Sequence, residues 1–291
     1  MYDAPRPHRS GWARPMKLTL GISPCPNDTF IFDALVNGAL DTGALRFEVV
    51  HEDVETLNAW AVEGRLDVSK VSYGVIPEIA KEYVVLSAGG ALGHGVGPLL
   101  VARPGLGAFR PEAARVAIPG RHTTAHLLFS LAFPGAAHKE FMVFSAVEEA
   151  VLRGAVDAGV IIHEGRFTYA AKGLVKVLDL GEHWERETGA PVPLGGIVAR
   201  RTLEPAVCRE VDRLVRASLE HARARGSPIS AYVRNHAQEM DEAVMRRHVD
   251  LYVNEHSLDL GDSGRRAVET LLQVHGRTNP GTRPPPASIF L

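Results

Sequence analysis

The chain has 291 residues, 45% of them hydrophobic and 23% charged, and its 32 basic against 34 acidic side chains leave a net charge of −2 with histidine neutral. That apolar share supports a buried core and excludes disorder for most of the chain, while the lack of a basic excess excludes a nucleic-acid partner held by phosphate contacts. The longest nearly apolar stretch, Ala125 to Phe133, is too short for a membrane span, which needs ~20 residues, and at roughly 150 residues per domain about two domains are expected.

Cys25 and Cys208 are the only cysteines and cannot build a disulfide framework, which fits a reducing cytosol. Met1 to Pro15 carry three prolines, three arginines and no apolar run, so they are neither a secretory signal nor an anchor. Residues 1–16 read as a disordered leader, with Met16 an alternative start. From Lys17 the pattern is strand, then helix. Leu18, Leu20 and Ile22 alternate as a strand does. Ser23-Pro24-Cys25-Pro26-Asn27-Asp28 supplies turn and cap residues, and an apolar helix runs on to Gly38. A strand over 47–50, a helix capped by Asp53 and ended by Gly64, and a strand over 67–72 come next. A short helix over 76–83 and a strand over 84–87 follow. Gly89 to Gly95 reads as a flexible loop near a hinge, because it lacks the Lys-Ser/Thr of a phosphate loop. The middle third repeats the scheme: a strand over 115–118, a turn over 119–124 into a helix reaching about Phe133, a strand over 141–144, a helix over 147–153 and a strand over 157–163. After Gly195 a strand leads into helices over 204–225, 241–253 and 263–274, and 280–286 is an extended Pro-rich tail. Strands alternating with helices imply an α/β fold with parallel sheets.

Glu63-Gly64-Arg65-Leu66-Asp67-Val68 resembles Arg153-Gly154-Ala155-Val156-Asp157-Ala158, with glycine and aspartate each recurring 90 residues on. Gly97-Pro98-Leu99-Leu100-Val101-Ala102-Arg103 likewise resembles Gly195-Gly196-Ile197-Val198-Ala199-Arg200. The first pair marks two similar α/β lobes, and the second marks two strands crossing between them. The expected organisation is lobe one over 17–101 and 199–291, lobe two over 102–198, a two-strand hinge, and the site in the cleft between.

Ligands of open parallel sheets bind beyond the carboxyl ends of the strands. Four segments sit there: Ser23 to Thr29, Ser69 to Tyr73, Arg121 to Thr124, and His163-Glu164. Thr123 and Thr124 open a helix whose free N–H groups favour an anion, or they serve only as its cap. His163 either presents a neutral imidazole to the cleft, as a general base needs, with a pKa near the ordinary ~6.5 unless the cleft shifts it, or is a core histidine with a satisfied N–H. Glu164 alternates to the other face of the strand. His122 is the rival base, although a helix start suits binding better. Lys70, in an otherwise apolar strand, meets a substrate oxygen or an acidic side chain, or else faces outward. Cys25 reads as a packed or cleft-lining thiol rather than a nucleophile. No Cys pair, HExxH spacing, Walker or dinucleotide glycine motif is present, so no metal is expected.

Ser23-Pro24-Cys25-Pro26-Asn27-Asp28-Thr29-Phe30-Ile31-Phe32 closely resembles the opening motif of the 1,4-dihydroxy-6-naphthoate synthase family, in the futalosine route to menaquinone. The resemblance continues through Glu52-Asp53-Val54-Glu55-Thr56-Leu57-Asn58, Lys70-Val71-Ser72-Tyr73, Pro119-Gly120-Arg121-His122-Thr123-Thr124, Ile161-Ile162-His163-Glu164 and Pro193-Leu194-Gly195. It spans Lys17 to about Leu260. It implies a type II periplasmic-binding-protein-like fold. It also implies a carbon–carbon lyase that converts cyclic dehypoxanthinyl futalosine to 1,4-dihydroxy-6-naphthoate and dihydroxyacetone. His163 would be the proton acceptor, and Lys70, Val71, Ser72, Thr124 and Ala125 would bind substrate. Thr123 and the loop residues Ser23, Asn27 and Asp28 complete the expected site. No cofactor and no metal are implied. The expected partner is a small-molecule substrate with a carboxylate, with no nucleic acid and no membrane. Rival readings are a non-catalytic small-anion-binding protein of the same fold and the sister chorismate dehydratase. The lack of a secretory signal disfavours the first, and the Ser-Pro-Cys-Pro-Asn-Asp run the second.

Overall fold

Leu18, Leu20 and Ile22 are buried along strand β1 (Met16–Ile22), as their alternation requires. The computed structural model describes residues 15–105, 107–226, 229–238, 241–278 and 288–291. The leader over 1–14 and the Pro-rich stretch 280–286 lie outside the described residues, while Met16, expected at the end of the leader, already belongs to β1. Strands β2 (Leu45–His51), β3 (Val68–Ser72), β4 (Tyr83–Val85) and β5 (Ala91–Gly93) follow. Then come β6 (Leu99–Ala102), β7 (Arg115–Ile118), β8 (His138–Phe141), β9 (Ala158–Ile161), β10 (Val175–Asp179) and β11 (Val192–Arg200).

The strands form two sheets. The first has the order β2-β1-β3-β11-β4, with β5 also on β11, and the second β10-β6-β9-β7-β8. β1 is parallel to β2 and β3, and β7 is parallel to β8 and β9. β11 is antiparallel to β3, and β6 to β9. β6 follows the strands of the first sheet yet pairs inside the second, and β11 follows those of the second yet pairs inside the first. The 90-residue repeat has a physical cause. Gly64 and Gly154 end their helices at φ 67° and 74°, a region open to glycine. The carboxylates of Asp67 and Asp157 then accept the backbone N–H of Thr19 and Arg115, each at 2.8 Å, tying the start of β3 to β1 and the start of β9 to β7.

One core packs the helices Pro26–Val36 and Pro205–Ala224 on the first sheet, through Ile31, Phe32, Val211 and Leu219. A second core runs from Val71, Tyr73 and Val198 of the first sheet side to Leu100, Val116 and Val160 of the second, so apolar packing joins the lobes. The backbone of Ile289 and Leu291 brackets Val85 on β4. Among the described residues no helix is long and apolar enough to cross a membrane.

Several expected elements shift. The strand expected over 141–144 is β8, and Phe144 instead opens the helix Phe144–Leu152. β8 is an edge strand reading His-Lys-Glu-Phe, held by its register with β7, so it carries no apolar run. The helix expected over 76–83 is a 3-10 turn, Tyr73–Val75, and one helical turn, Ile76–Ile79, and β4 begins at Tyr83. Ala91–Gly93, expected within a flexible loop, is a buried strand on β11. The edge strand β10 and the polar helix Leu180–Thr188, which buries only Leu180, Gly181 and Trp184, carried no expectation at all.

Candidate active site

The carboxyl ends of β1, β3, β7 and β9 face one cavity of about 700 Å³, its mouth included. Ser23, Asn27, Asp28, Lys70, Val71 and Ser72 line it from one side, and Thr123, Thr124, Ala125 and His163 from the other. All ten expected site residues are thus brought to one place. Val54, Ile162, Arg166, Leu194, His248 and Tyr252 line it as well.

On the first sheet side the opening motif builds a helix start. Cys25 is the N-cap in an extended conformation, Pro26 follows it, and Asp28 sits in the first turn where the dipole favours a negative charge. Lys70 and Asp28 are buried and paired at 2.5 Å, so the lysine of the apolar strand has an acidic partner. Ser23 Oγ and Asn27 Nδ2 also donate to that carboxylate, at 2.6 and 2.8 Å. Ser72 is held by Asn58, which donates to its hydroxyl and accepts from its N–H.

On the second sheet side the strand expected to end at His163 stops at Ile161. Among the described residues His163 is the one non-glycine with positive φ, at 55°. That left-handed conformation costs on the order of 1–3 kcal/mol and turns the chain into the helix Gly165–Thr168. Phe144 packs edge-on against the ring at 4.8 Å between centroids, and Nδ1 lies 3.4 Å from Cys25 Sγ. Among the described residues, Nε2 is buried with no partner. Burial lowers the imidazole pKa to about 4, with Asp28 pulling it up and Lys70 pushing it down. The ring is therefore neutral well below pH 7, and burial is the cleft's shift away from the ordinary value. Cys25 keeps its proton too: burial, then the carboxylates of Glu164 and Asp28, raise its thiol well above the usual range. Glu164 lines a neighbouring hollow rather than this cavity.

The threonines are more engaged than an anion site requires. Thr123 caps its helix, accepting from His126 N–H and donating to Gly120 O. Thr124 donates to Leu194 O at 2.8 Å and accepts from Gly74 N–H at 3.0 Å. The turn before them already holds an anion from the protein itself. The Glu55 carboxylate accepts the N–H groups of Arg121 and His122 and bonds His122 Nδ1 at 2.8 Å. Gly120 is at φ 104°, and a Cβ there would meet Glu55 Oε2 at 2.5 Å. His122, the rival base, is committed to Glu55 and does not line the cavity. Thr124→Val keeps the shape and leaves a buried N–H and C=O unpaired, so stability should fall by about 2–4 kcal/mol. Urea unfolding measures this, and an unchanged midpoint would mean that the hydroxyl ties nothing together.

Arg166 and His248 were not expected. Arg166 bonds Asp179 at 3.1 Å and Gly97 O. His248 lies on the helix Glu242–Tyr252 with Met245, Val249 and Tyr252, a buried stripe that reads as core from periodicity. Among the described residues no three His, Cys, Asp or Glu side chains converge as a metal site.

Over residues 18–276 the chain matches the family described as menaquinone biosynthesis. The chain belongs to that family. A 1,4-dihydroxy-6-naphthoate synthase of Thermus thermophilus is 50% identical over 270 residues, 92% of this chain and 98% of its own length. The synthase of that name from Streptomyces coelicolor is 46% identical over 261 residues, 88% of this chain and 91% of its own. The resemblance carried by the opening motif is borne out. Among solved structures, a protein of Archaeoglobus fulgidus matches with a TM-score of 0.84 at 34% identity, covering 90% of this chain and 97% of that one. The alkanesulfonate-binding protein of Xanthomonas axonopodis pv. citri, bound to MOPS, matches with a TM-score of 0.65 at 16% identity, covering 92% and 94%. That likeness is one of fold alone, and it gives this chain the two-lobed periplasmic-binding-protein-like architecture.

Proposed function

We propose that the chain is a carbon–carbon lyase converting cyclic dehypoxanthinyl futalosine to 1,4-dihydroxy-6-naphthoate and dihydroxyacetone, with His163 as general base. One observation carries this reading: a neutral, buried imidazole whose Nε2 has no partner among the described residues, in a cavity built from the motifs that carry the resemblance. The base-competent tautomer has Nδ1–H directed at Cys25 Sγ, leaving the Nε2 lone pair for substrate. A proton leaves the substrate to Nε2, the carbon–carbon bond breaks with its electron pair taken up by the ring that becomes aromatic, and Nε2 returns the proton to the products. The cleavage is redox-neutral. A base with a pKa near 4 is always available but gives little driving force for proton transfer, so aromatisation and a fixed pose must supply most of it. The substrate carboxylate lies against the N–H groups of Thr124 and Ala125, the first-turn donors left once Thr123 has capped His126. The enzyme names of the relatives support this reading over a plain small-anion receptor.

The test is turnover of the cyclic substrate by purified protein, followed by naphthoate fluorescence across pH. Protonation removes the base, so activity is lost on the acid side. With the pKa lowered to about 4, kcat/KM should stay level from pH 7 to about 5 and fall about tenfold per unit below about 4. An acid limb centred on ~6.5 would mean that the imidazole is solvated and the buried geometry is not the working one.

A further inference from the structure

Resting on that reading, we propose that His248 is a second imidazole of the active cavity, whose Nδ1 accepts a hydrogen bond from a substrate hydroxyl. The tautomer follows from a chain of partners that begins at Lys70. An ammonium can only donate, so Asp28 Oδ1, 2.5 Å away, accepts. Asn27 Nδ2 lies 2.8 Å from the same oxygen and must donate to it, which fixes the amide orientation. Asn27 Oδ1 is then the atom facing His248 Nε2 at 2.9 Å, and an amide oxygen can only accept. Nε2 therefore carries the hydrogen.

His248 is fully buried, and burial, with His163 and Lys70 nearby, holds the ring neutral. Its Nδ1 is left with a lone pair and, among the described residues, no partner. A buried acceptor without a donor is costly, and a ligand that brings one removes that cost. A lone pair selects an O–H and repels a carboxylate, which assigns this wall to the hydroxyl-bearing end of the substrate. That end is the part released as dihydroxyacetone. The rings of His163 and His248 are nearly parallel with centroids 6.2 Å apart, close enough to engage two donors of one small fragment. Thr124 and Ala125 take the carboxylate end, so the two imidazoles and the helix start together orient the substrate along the cleft.

His248→Gln separates the two roles of the ring. Its side-chain amide can still donate to Asn27 but offers no acceptor where Nδ1 stood. The expected result is a kcat/KM about 10- to 100-fold lower than the parent's, carried mainly by KM, with near-UV circular dichroism and thermal unfolding retained. Imidazole nitrogen resonances of labelled parent protein at pH 7 should show His248 protonated at Nε2 and bare at Nδ1. The Nδ1 resonance should move when cyclic substrate is added to His163→Asn protein, in which the complex persists. A kcat/KM within twofold of the parent, or a proton on Nδ1 in the free protein, overturns the proposal while leaving His163 as the base. A parent protein that does not turn over the cyclic substrate overturns the reading of the reaction, and this contact with it.

Discussion

Replacing His163 with Asn is expected to lower turnover by about 10²- to 10⁴-fold while leaving the fold and much of the substrate affinity in place. Asn keeps a similar shape and a donor, but it cannot take a proton near pH 7. The fold should survive because, among the described residues, the ring makes no hydrogen bond beyond Nδ1 and Cys25, and Asn tolerates the left-handed backbone at φ 55°. Affinity should survive because contacts come from at least three other segments around the cavity. Single-turnover and steady-state assays on the same preparation separate the outcomes. A variant with near-normal turnover would reduce His163 to a positioning role. His122, bonded to Glu55 and outside the cavity, cannot then take over the chemistry, so His248 would be the remaining imidazole.

The second large effect concerns the buried pair in the cavity wall. Lys70→Met leaves the Asp28 carboxylate buried without its cation, and Asp28→Asn leaves the ammonium without its anion. Each should cost about 3–5 kcal/mol, far more than an exposed ion pair, because the remaining charge is neither solvated nor neutralised. The double variant Lys70→Met/Asp28→Asn carries no stranded charge and should lose less than the sum of the singles by about 2–3 kcal/mol. Urea unfolding of all four proteins closes the cycle. Additive losses would mean that water reaches one of the two groups. The pair also acts on the base, since Lys70 lowers and Asp28 raises the His163 pKa, so Lys70→Met should move the acid limb upward.

Much of this protein was legible in its sequence because the determining interactions are local or periodic. The alternation in β1, the Asp53 cap, and the Gly64/Gly154 and Asp67/Asp157 repeat each depend on residues within a few positions or on one strand pairing, and each stands where the pattern puts it. The cavity-lining segments were legible for a topological reason: in each sheet the loops after the parallel strands share one end, and with the two lobes facing each other Ser23, Lys70, Thr123 and His163 line one cavity. The polar edge strands β8 and β10 were not, since their pairing comes from neighbouring strands rather than from an apolar run.

What only the tertiary structure decided is where the polar groups of the site spend their hydrogen bonds. Thr124 spends its hydroxyl on Gly74 and Leu194, the anion-binding turn at 121–122 is filled by Glu55 from the other side of the cleft, and His248 arrives 221 residues after the asparagine that orients it. The pKa of His163 belongs to the same class, because it depends on how completely distant segments exclude water from the ring. Periodicity and strand order in the sequence carried the two-lobed α/β fold and the sheet ends where the candidate site lies, and the opening motif carried the family resemblance. Partnering and burial of its polar atoms depend on which residues the fold brings within 3 Å, and no local pattern carries that information.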